Sequence, residues 1–433
     1  MRKNRSRRRW SGPAALACAG VLALATACGT SSGDSSGGGS AAEDQGGFTA
    51  PDIPMQDSVG DPEGQVNILA WPGYAEDGST DKSVDWVTPF EEETGCQANV
   101  KYFGTSDEAV QLMKTGEYDV VSASGDATLR LIASGDVAPV NTDLLKNYPD
   151  IAPFLKDQKF NSVDGQMYGV PHGWGANLLM YNTDVVKPAP TSWGAVFDGA
   201  SDYAGKVTAY DSPIYIADAA LYLMKTQPDL GIEDPYALDQ DQLAAAVDLL
   251  KKQKENVSEY WSDYLKEVQA FKSGDSVIGT TWEVINAVAQ GEGAPVEAVL
   301  PEEGSTGWSD TWMISSKAQN PNCGYLWMDY ITSPEAQAQV AEYFGEAPAN
   351  TKACALTSDK TFCDTYHAED ADYAAQIHYW TTPIEQCLDG RTDVTCTNYG
   401  DWTTATEECL DGRTDVTCVP YTDWVTAWTE IRS

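Results

Sequence analysis

Six of the ten cysteines stand in three pairs of identical spacing, Cys354/Cys363, Cys387/Cys396 and Cys409/Cys418, each enclosing eight residues. A segment that short closes on itself, so each pair predicts a local loop or hairpin with its own staple. Leaving aside Cys18 and Cys28 near the N-terminus, Cys96 and Cys323 remain and would pair across a long separation. Zinc is the competing reading, but it favours CxxC or histidine spacing. The chain has only three histidines, His172, His367 and His378, isolated from one another. The expectation is therefore four disulfides and no metal.

The same tail contains a repeat. The stretch Cys387-Leu388-Asp389-Gly390-Arg391-Thr392-Asp393-Val394-Thr395-Cys396 recurs word for word at Cys409 to Cys418, and both copies run on into an aromatic residue and Asp-Trp: Tyr399 with Asp401-Trp402, and Tyr421 with Asp423-Trp424. Asp-Gly in a short loop is a turn signal. Two disulfide-closed turn units and a terminal helix over 424–431 follow; calcium on the repeated aspartates is the alternative.

Disulfides need an oxidising compartment, and the N-terminus supplies the route. Arg2, Lys3, Arg5, Arg7, Arg8 and Arg9 form a basic region, followed by an apolar run from Ala14 to Ala25. That run is too short to span a bilayer and reads as a secretory signal over 1–27. It ends in Leu24-Ala25-Thr26-Ala27-Cys28, which resembles a bacterial lipobox in which Cys28 is lipidated; plain cleavage after Ala27 is the alternative. Ser6-Arg7-Arg8-Arg9-Trp10 also resembles a twin-arginine signal, so the export route stays open. Residues 28–63 begin with a Gly/Ser tract, which behaves as a flexible tether. The expected location is the outer face of the cell membrane, held there by a lipid alone.

Loss of the six basic residues of the signal leaves 21 Lys and Arg against 65 Asp and Glu, a formal charge of −44. Such a balance repels nucleic acid and anionic lipid and attracts cations.

The body alternates short apolar strands with amphipathic helices. Strands are expected at 66–70, 98–102, 118–121, 206–209 and 277–280, with helices at 83–93, from Ser106 to a stop at Gly116, along the Leu243/Val247/Leu250 stripe, and from Ser333-Pro334-Glu335 to Gly345. Alternation of this kind predicts an α/β fold with a largely parallel sheet. A body of this length splits into more than one domain.

Catalytic constellations are missing from the body: from residue 64 onward the sequence has no GxSxG, no HExxH and no phosphate-cradling glycine loop. With 65 acids on hand, carboxylate pairs carry no signal. The chain reads as a non-enzyme without a cofactor. A cation cleft has more support. Trp71 and Tyr74, Ser124 and Asp126, and Tyr210-Asp211 each follow a strand, and Trp282-Glu283 and Trp308-Ser309-Asp310 repeat the pairing of aromatic and acid. Loops at the carboxyl ends of strands are where open α/β sheets bind ligands. An alkylammonium ion needs such partners: carboxylates accept its N–H groups, and aromatic faces add roughly 0.5–2 kcal/mol each.

These residues resemble the spermidine/putrescine-binding proteins of ABC transporters. The likeness is carried by Ile68-Leu69-Ala70-Trp71-Pro72-Gly73-Tyr74, Phe90-Glu91-Glu92-Glu93-Thr94-Gly95, Tyr118-Asp119-Val120-Val121 and Val170-Pro171-His172-Gly173-Trp174-Gly175. Tyr181-Asn182, Ser192-Trp193, Leu300-Pro301-Glu302-Glu303-Gly304, Trp308-Ser309-Asp310 and Gly345-Glu346-Ala347-Pro348-Ala349-Asn350 extend it in the same order. The resemblance implies a two-lobed periplasmic-binding-protein fold of type II with a hinge cleft: lobe one over 64–172, with 309–350 returning to it, and lobe two over 173–308. A disulfide-stapled C-terminal extension over 351–433 completes the chain. It further implies a monomer that delivers a polyamine to a membrane permease.

Carried over by position, Trp71 and Tyr74 line the cleft, Ser124 and Asp126 contact an amine, Trp282 and Trp308 sandwich the methylenes, and Asp310 holds the ammonium; Asp211, Glu283 and Glu346 complete the candidates. Gly73 stands where spermidine binders have an acid, Asp126 where an aromatic is common, Ser212 and Tyr215 where two further acids occur, and Glu346 where an aromatic occurs. Within the same class, the alternative ligand is an amino acid, a sugar or ferric ion, the last on Tyr260 and Tyr264. A surface-anchored enzyme or an adhesion module is the remaining reading.

Overall fold

The computed structural model of the chain describes residues 50–382 and 418–433. The signal, Cys28, most of the tether, and Cys387, Cys396 and Cys409 lie outside the described residues. The strands are β1 (Gln65–Ala70), β2 (Gln97–Tyr102), β3 (Val120–Ala123), β4 (Val137–Ala138), β5 (Ser162–Val163), β6 (Gln166–Met167), β7 (Gly169–Ala176) and β8 (Leu178–Asn182). They continue as β9 (Val207–Tyr210), β10 (Val257–Trp261), β11 (Ile278–Thr281), β12 (Val296–Val299), β13 (Ser305–Ser315), β14 (Ala347–Pro348) and β15 (Ile377–Tyr379). The helices are α1 (Val87–Thr94), α2 (Ser106–Met113), α3 (Gly125–Ala133), α4 (Ile216–Thr226), α5 (Gln240–Lys254) and α6 (Tyr264–Ser273). After them come α7 (Glu283–Gly291), α8 (Pro321–Ile331), α9 (Pro334–Phe344), α10 (Phe362–Thr365), α11 (Ala371–Ala374) and α12 (Tyr421–Arg432).

Two sheets organise these elements. One runs β14-β7-β13-β3-β1-β2, with β4 and β15 also on β13; the other runs β10-β9-β11-β8-β12. Each has a helix-covered apolar core. Val66, Ile68, Phe90, Trp312 and Trp327 pack together under the first, and Leu179, Val207, Ile216, Leu250 and Ile278 under the second. The α/β expectation holds, but the sheets are mixed rather than largely parallel. β1 pairs in parallel with β2 and β3, whereas β13 runs antiparallel to both β3 and β7, and β8 antiparallel to β11 and β12. The apolar run of a buried strand is the same in either direction, so pairing sense is a tertiary outcome.

The chain passes between the sheets at two short crossings. β7 belongs to the first sheet and β8 to the second, separated only by Asn177; β12 belongs to the second and β13 to the first. This is a two-lobed architecture with the crossing strands side by side at the base of a cleft.

Local signals explain several boundaries. Ser333 Oγ accepts from the Ala336 amide to start α9, Pro334 follows it, and Gly345 ends the helix at φ +86°, as the sequence predicts. In α2 the cap is Thr105, whose hydroxyl accepts from the Glu108 amide, one residue before the expected Ser106. α1 begins at Val87 rather than Ser83, because Ser83 and its neighbours turn back: the Ser83 amide bonds to Asp81 and Gly78 to the Val84 carbonyl.

Cys96 joins Cys323 across 227 residues and Cys354 joins Cys363 across 9, both as expected. Cys418 is also disulfide-bonded; its partner lies outside the described residues. Both ends of the C-terminal extension dock on the body. β15 adds to β13 in parallel, and Tyr421, Trp424, Trp428 and Ile431 of α12 enter the second lobe's core. Among the described residues, no helix is long and apolar enough to cross a membrane.

Candidate ligand-binding cleft

The first lobe's wall of the cleft is polar and buried. β13 is buried along its whole length and carries Trp308 and Asp310 on one side of the strand, two residues apart. Tyr74 lies in the turn after β1, and Glu346 follows the glycine that ends α9. Tyr74 Oη lies 2.7 Å from both Asp310 Oδ2 and Glu346 Oε2. A phenol has one proton to donate, so a second proton on one of the carboxyls completes the set. Burial first, then the neighbouring Asp310 charge, holds Glu346 well above the usual carboxylate range. Burial lifts Asp310 to about 6, against the downward pull of the Ser124 and Tyr74 hydroxyls. His172 stands behind Glu346, 3.6 Å from Oε1. Burial drops its pKa to about 3, and its Nδ1 accepts from Gln337 Nε2 at 2.9 Å, so the imidazole is neutral.

The second lobe's wall is aromatic. Tyr210 at the end of β9 has Trp261 and Trp282 at ring distances of 5.0 and 5.4 Å. Trp282, before α7, donates its indole N–H to Asn177 Oδ1 at 2.9 Å, and its ring meets Trp308 edge-on at 6.0 Å. Burial chiefly, and then the charges of Asp126, Asp310, Asp211 and Asp218 in that order, raise the Tyr210 pKa. One phenol therefore lies within electrostatic reach of four carboxylates drawn from both lobes.

The walls touch. Gly345 has a left-handed φ of +86°, and a β-carbon there would lie 2.4 Å from Val284 Cγ2 on α7; only glycine serves both demands. Between the walls a cavity of about 20 Å³ is lined by Trp174, Trp282, Glu283, Trp308, Glu346 and Tyr366 among others.

The other predicted residues are placed as follows. Glu283 lines this cavity, accepts from Asn286 Nδ2 at 2.9 Å, and is pushed by burial to about 7. Ser124 precedes α3 and influences Asp310 from there. Asp126, buried in the first turn of α3, accepts from Ser106 Oγ at 2.7 Å; burial raises its pKa despite that bond and the nearby Arg130. Trp71 packs on Phe103 at 4.3 Å with its indole nitrogen buried and unpartnered. Asp211 already has a cation: Arg432 Nε lies 3.0 Å from Oδ1 and Nη2 3.2 Å from Oδ2, and Trp428 Nε1 donates to Oδ1 at 3.2 Å. The Arg432 guanidinium also lies 4.0 Å over the ring of Tyr260, and Tyr264 is an exposed residue of α6. Among the described residues, no lysine or arginine forms an ion pair with Asp310, Glu346, Glu283 or Asp126.

Sequence reading missed Trp380, Thr381 and Thr382. Trp380 stacks on Tyr210 at 5.6 Å and 15°, its amide donates to the Gly307 carbonyl, and its own carbonyl presses so closely on Gly125 that a β-carbon there would clash at 1.9 Å. Thr381 and Thr382 are buried with unpartnered hydroxyls. Their only signal is the run Ile377-His378-Tyr379, which reads as a strand once the tail is not set apart from the body.

Known proteins share this construction. Residues 85–369 match the family described as bacterial extracellular solute-binding protein, and the chain belongs to that family. The spermidine/putrescine-binding periplasmic protein of Escherichia coli (strain K12) is 26% identical over 311 residues, 69% of this chain and 86% of that protein. The putrescine/cadaverine-binding protein of Pseudomonas aeruginosa is 25% identical over 293 residues, 62% of this chain and 77% of that protein. Among solved structures, the spermidine/putrescine ABC transporter substrate-binding protein PotD of Streptococcus pneumoniae superposes with a TM-score of 0.61 at 19% identity, covering 85% of this chain and 99% of that one. A putative spermidine/putrescine ABC transporter from Listeria monocytogenes gives 0.64 at 19% identity, covering 86% and 99%. At that identity the structural likeness speaks to the fold, a two-lobed solute-binding architecture.

Proposed function

We propose that this chain is the capture subunit of an ABC importer and that its ligand is a polyamine of the putrescine or spermidine kind. One observation carries the reading: Asp310 and Glu346, fully buried and joined through Tyr74, have neutral His172 rather than a basic side chain beside them. Acids buried in that way either hold a proton or meet a cation. A ligand ammonium supplies the cation, and its N–H donors match the acceptor oxygens of Asp310, Glu346, Tyr74 and Ser124. Trp282, Trp308 and Tyr210 offer faces to the methylenes and to the charge. Trp71, Asp126 and Glu283 complete the lining; Asp211 is left to Arg432. The names of the curated relatives point to the same ligand class.

Capture follows from the two crossings. Lobes linked by short strands part to admit an extended amine and close when it bridges them, with Gly345 against Val284 as the seam. In this reading lobe one takes 64–176 and 305–350 and lobe two 178–299, which moves the expected bounds at 172/173 and 308/309 to the two crossings; the monomer performs no catalysis and needs no cofactor, and a lipid on Cys28 with its tether keeps it beside the permease.

Isothermal titration of the full exported chain tests this. Putrescine or spermidine gives saturable heat in the micromolar range or tighter, about −8 kcal/mol or below, while sugars, neutral amino acids and ferric ion give none. Heat from one of those solutes and none from either polyamine rejects the assignment.

A further inference from the structure

The first turn of α4 holds a carboxylate that the cleft described above does not use. Asp218 is 2% exposed. Its Oδ1 accepts from the Asn177 amide at 3.4 Å, and its Oδ2 has no hydrogen-bond partner. Among the described residues it has no lysine or arginine in an ion pair. Burial lifts its pKa to about 7, although Thr306 and Asn177 pull the other way. A carboxylate that serves only the fold is ordinarily saturated with donors, because an orphaned buried acceptor is costly.

Its neighbours place it at the base of the cleft. Asn177 is the single residue between β7 and β8, and Thr306 stands near the start of β13, so both belong to the crossings. Asn177 Nδ2 donates to Thr306 Oγ1 at 2.7 Å, while Asn177 Oδ1 accepts the indole N–H of Trp282 at 2.9 Å. Asp218 is thus wired through one amide to an aromatic of the cleft wall. The phenols of Tyr210, Tyr215 and Tyr236 all feel its charge, and Tyr210 feels Asp310 as well. Asp218 from one lobe and Asp310 from the other therefore act electrostatically on the same phenol.

We propose that Asp218 is a second anchoring carboxylate, taking one ammonium of an alkyl diamine whose other ammonium rests on Asp310 and Glu346. The methylenes between them lie along Tyr210, Trp282 and Trp308. This assignment rests on the cation-capture reading above and adds the demand that the ligand carry charge at two points. It also gives closure a driving force, since a dication held at both ends spans the lobes.

Calorimetry with putrescine and n-butylamine, alike in carbon chain but differing by one amine, separates the two claims. The wild type prefers putrescine. Asp218→Asn keeps the side chain's shape, weakens putrescine at least tenfold and leaves butylamine unchanged, so the preference collapses; Asp310→Asn weakens both. A wild type that binds neither amine removes the cation reading itself. A wild type that binds putrescine, with undiminished preference in Asp218→Asn, overturns the role of Asp218 alone. A thermal melt checks that the variant folds. If it does not, a crystal structure of the wild type with putrescine decides: an amine nitrogen within hydrogen-bond distance of the Asp218 carboxylate supports the anchor, and both amines elsewhere overturn it.

Discussion

Two sites in this molecule join an acid to an aromatic face, and they differ in who supplies the cation. At Asp211 the chain does so itself. Arg432 meets the carboxylate through two nitrogens and lies 4.0 Å over Tyr260, and the pair stays partly open to water, with side-chain exposures of 37% and 29%. At Asp310 the same chemistry is buried, and the described residues bring no arginine or lysine. The first site is a finished interaction that fastens the terminal helix. The second is buried and, in the function proposed here, takes its charge from the ligand. The contrast suggests a rule for the proposed site: paired aromatic and acidic residues can hold a cation, and burial without an internal partner is what separates Asp310 from the clasp at Asp211.

The sharpest way to break this comparison is to neutralise the acid at the buried site. Asp310→Asn removes a charged acceptor from a desolvated position and should weaken putrescine or spermidine by roughly 1.5–3 kcal/mol, about ten- to a hundredfold, measured by calorimetry. A change under twofold would mean that the buried acids do not face the ligand.

A smaller effect should appear in the proton balance. Asp310 at about 6 and Glu283 at about 7 hold protons near neutrality in the ligand-free cleft, and Glu346 does so more firmly. A cation favours the ionised forms, so binding releases protons at pH 6 to 7, and affinity rises as pH climbs from 5 to 8. The sign for stability is the opposite. These folded-state pKa values lie above those of the unfolded chain, so the native state binds more protons across the interval. Stability of the ligand-free protein therefore falls as pH rises from about 4.5 to 7. Titrations in buffers of different ionisation enthalpy check the first claim, and melts across that range the second. Proton uptake on binding would contradict the first, and stability that rises across that range the second.

The smallest effect belongs to the clasp. Arg432→Gln opens a partly solvated ion pair and should cost about 1 kcal/mol or less, seen as a slightly lower melting temperature with unchanged polyamine affinity. A large loss of affinity would place Asp211 in the cleft after all.

Much of this was legible beforehand. The caps and stops of α9 and the strand positions follow from local chemistry: a hydroxyl before a proline, a glycine able to turn left-handed, an apolar run of strand length. Cys96 with Cys323, 227 residues apart, is what the other cysteine pairs leave over, and the choice of Asp310 leans on the family resemblance. Asp211 and Asp310 look equivalent in sequence, each within two residues of an aromatic, although in the structure Asp211 follows β9 and Asp310 lies inside β13. What separates them is Arg432, 221 residues downstream of Asp211. Asp218 was invisible for a related reason. An acid in the first turn of a helix is an ordinary helix-dipole partner, and only the loss of its water and the empty Oδ2 mark it out. Trp380 was hidden because the repeat and its cysteines draw attention to 387–418, whereas the segment just before them docks as a strand.

Sequence alone supplies the α/β element pattern, the local Cys354–Cys363 pair, the acidic character and the residue types available for a cation, because each depends on side chains near one another in the chain or on composition; Cys96–Cys323 is reached only by elimination. Tertiary structure decided strand direction, the two crossings at Asn177 and after β12, and which carboxylates are buried without a partner. Desolvation is a property of everything that surrounds a group, and those surroundings come from every part of the chain at once.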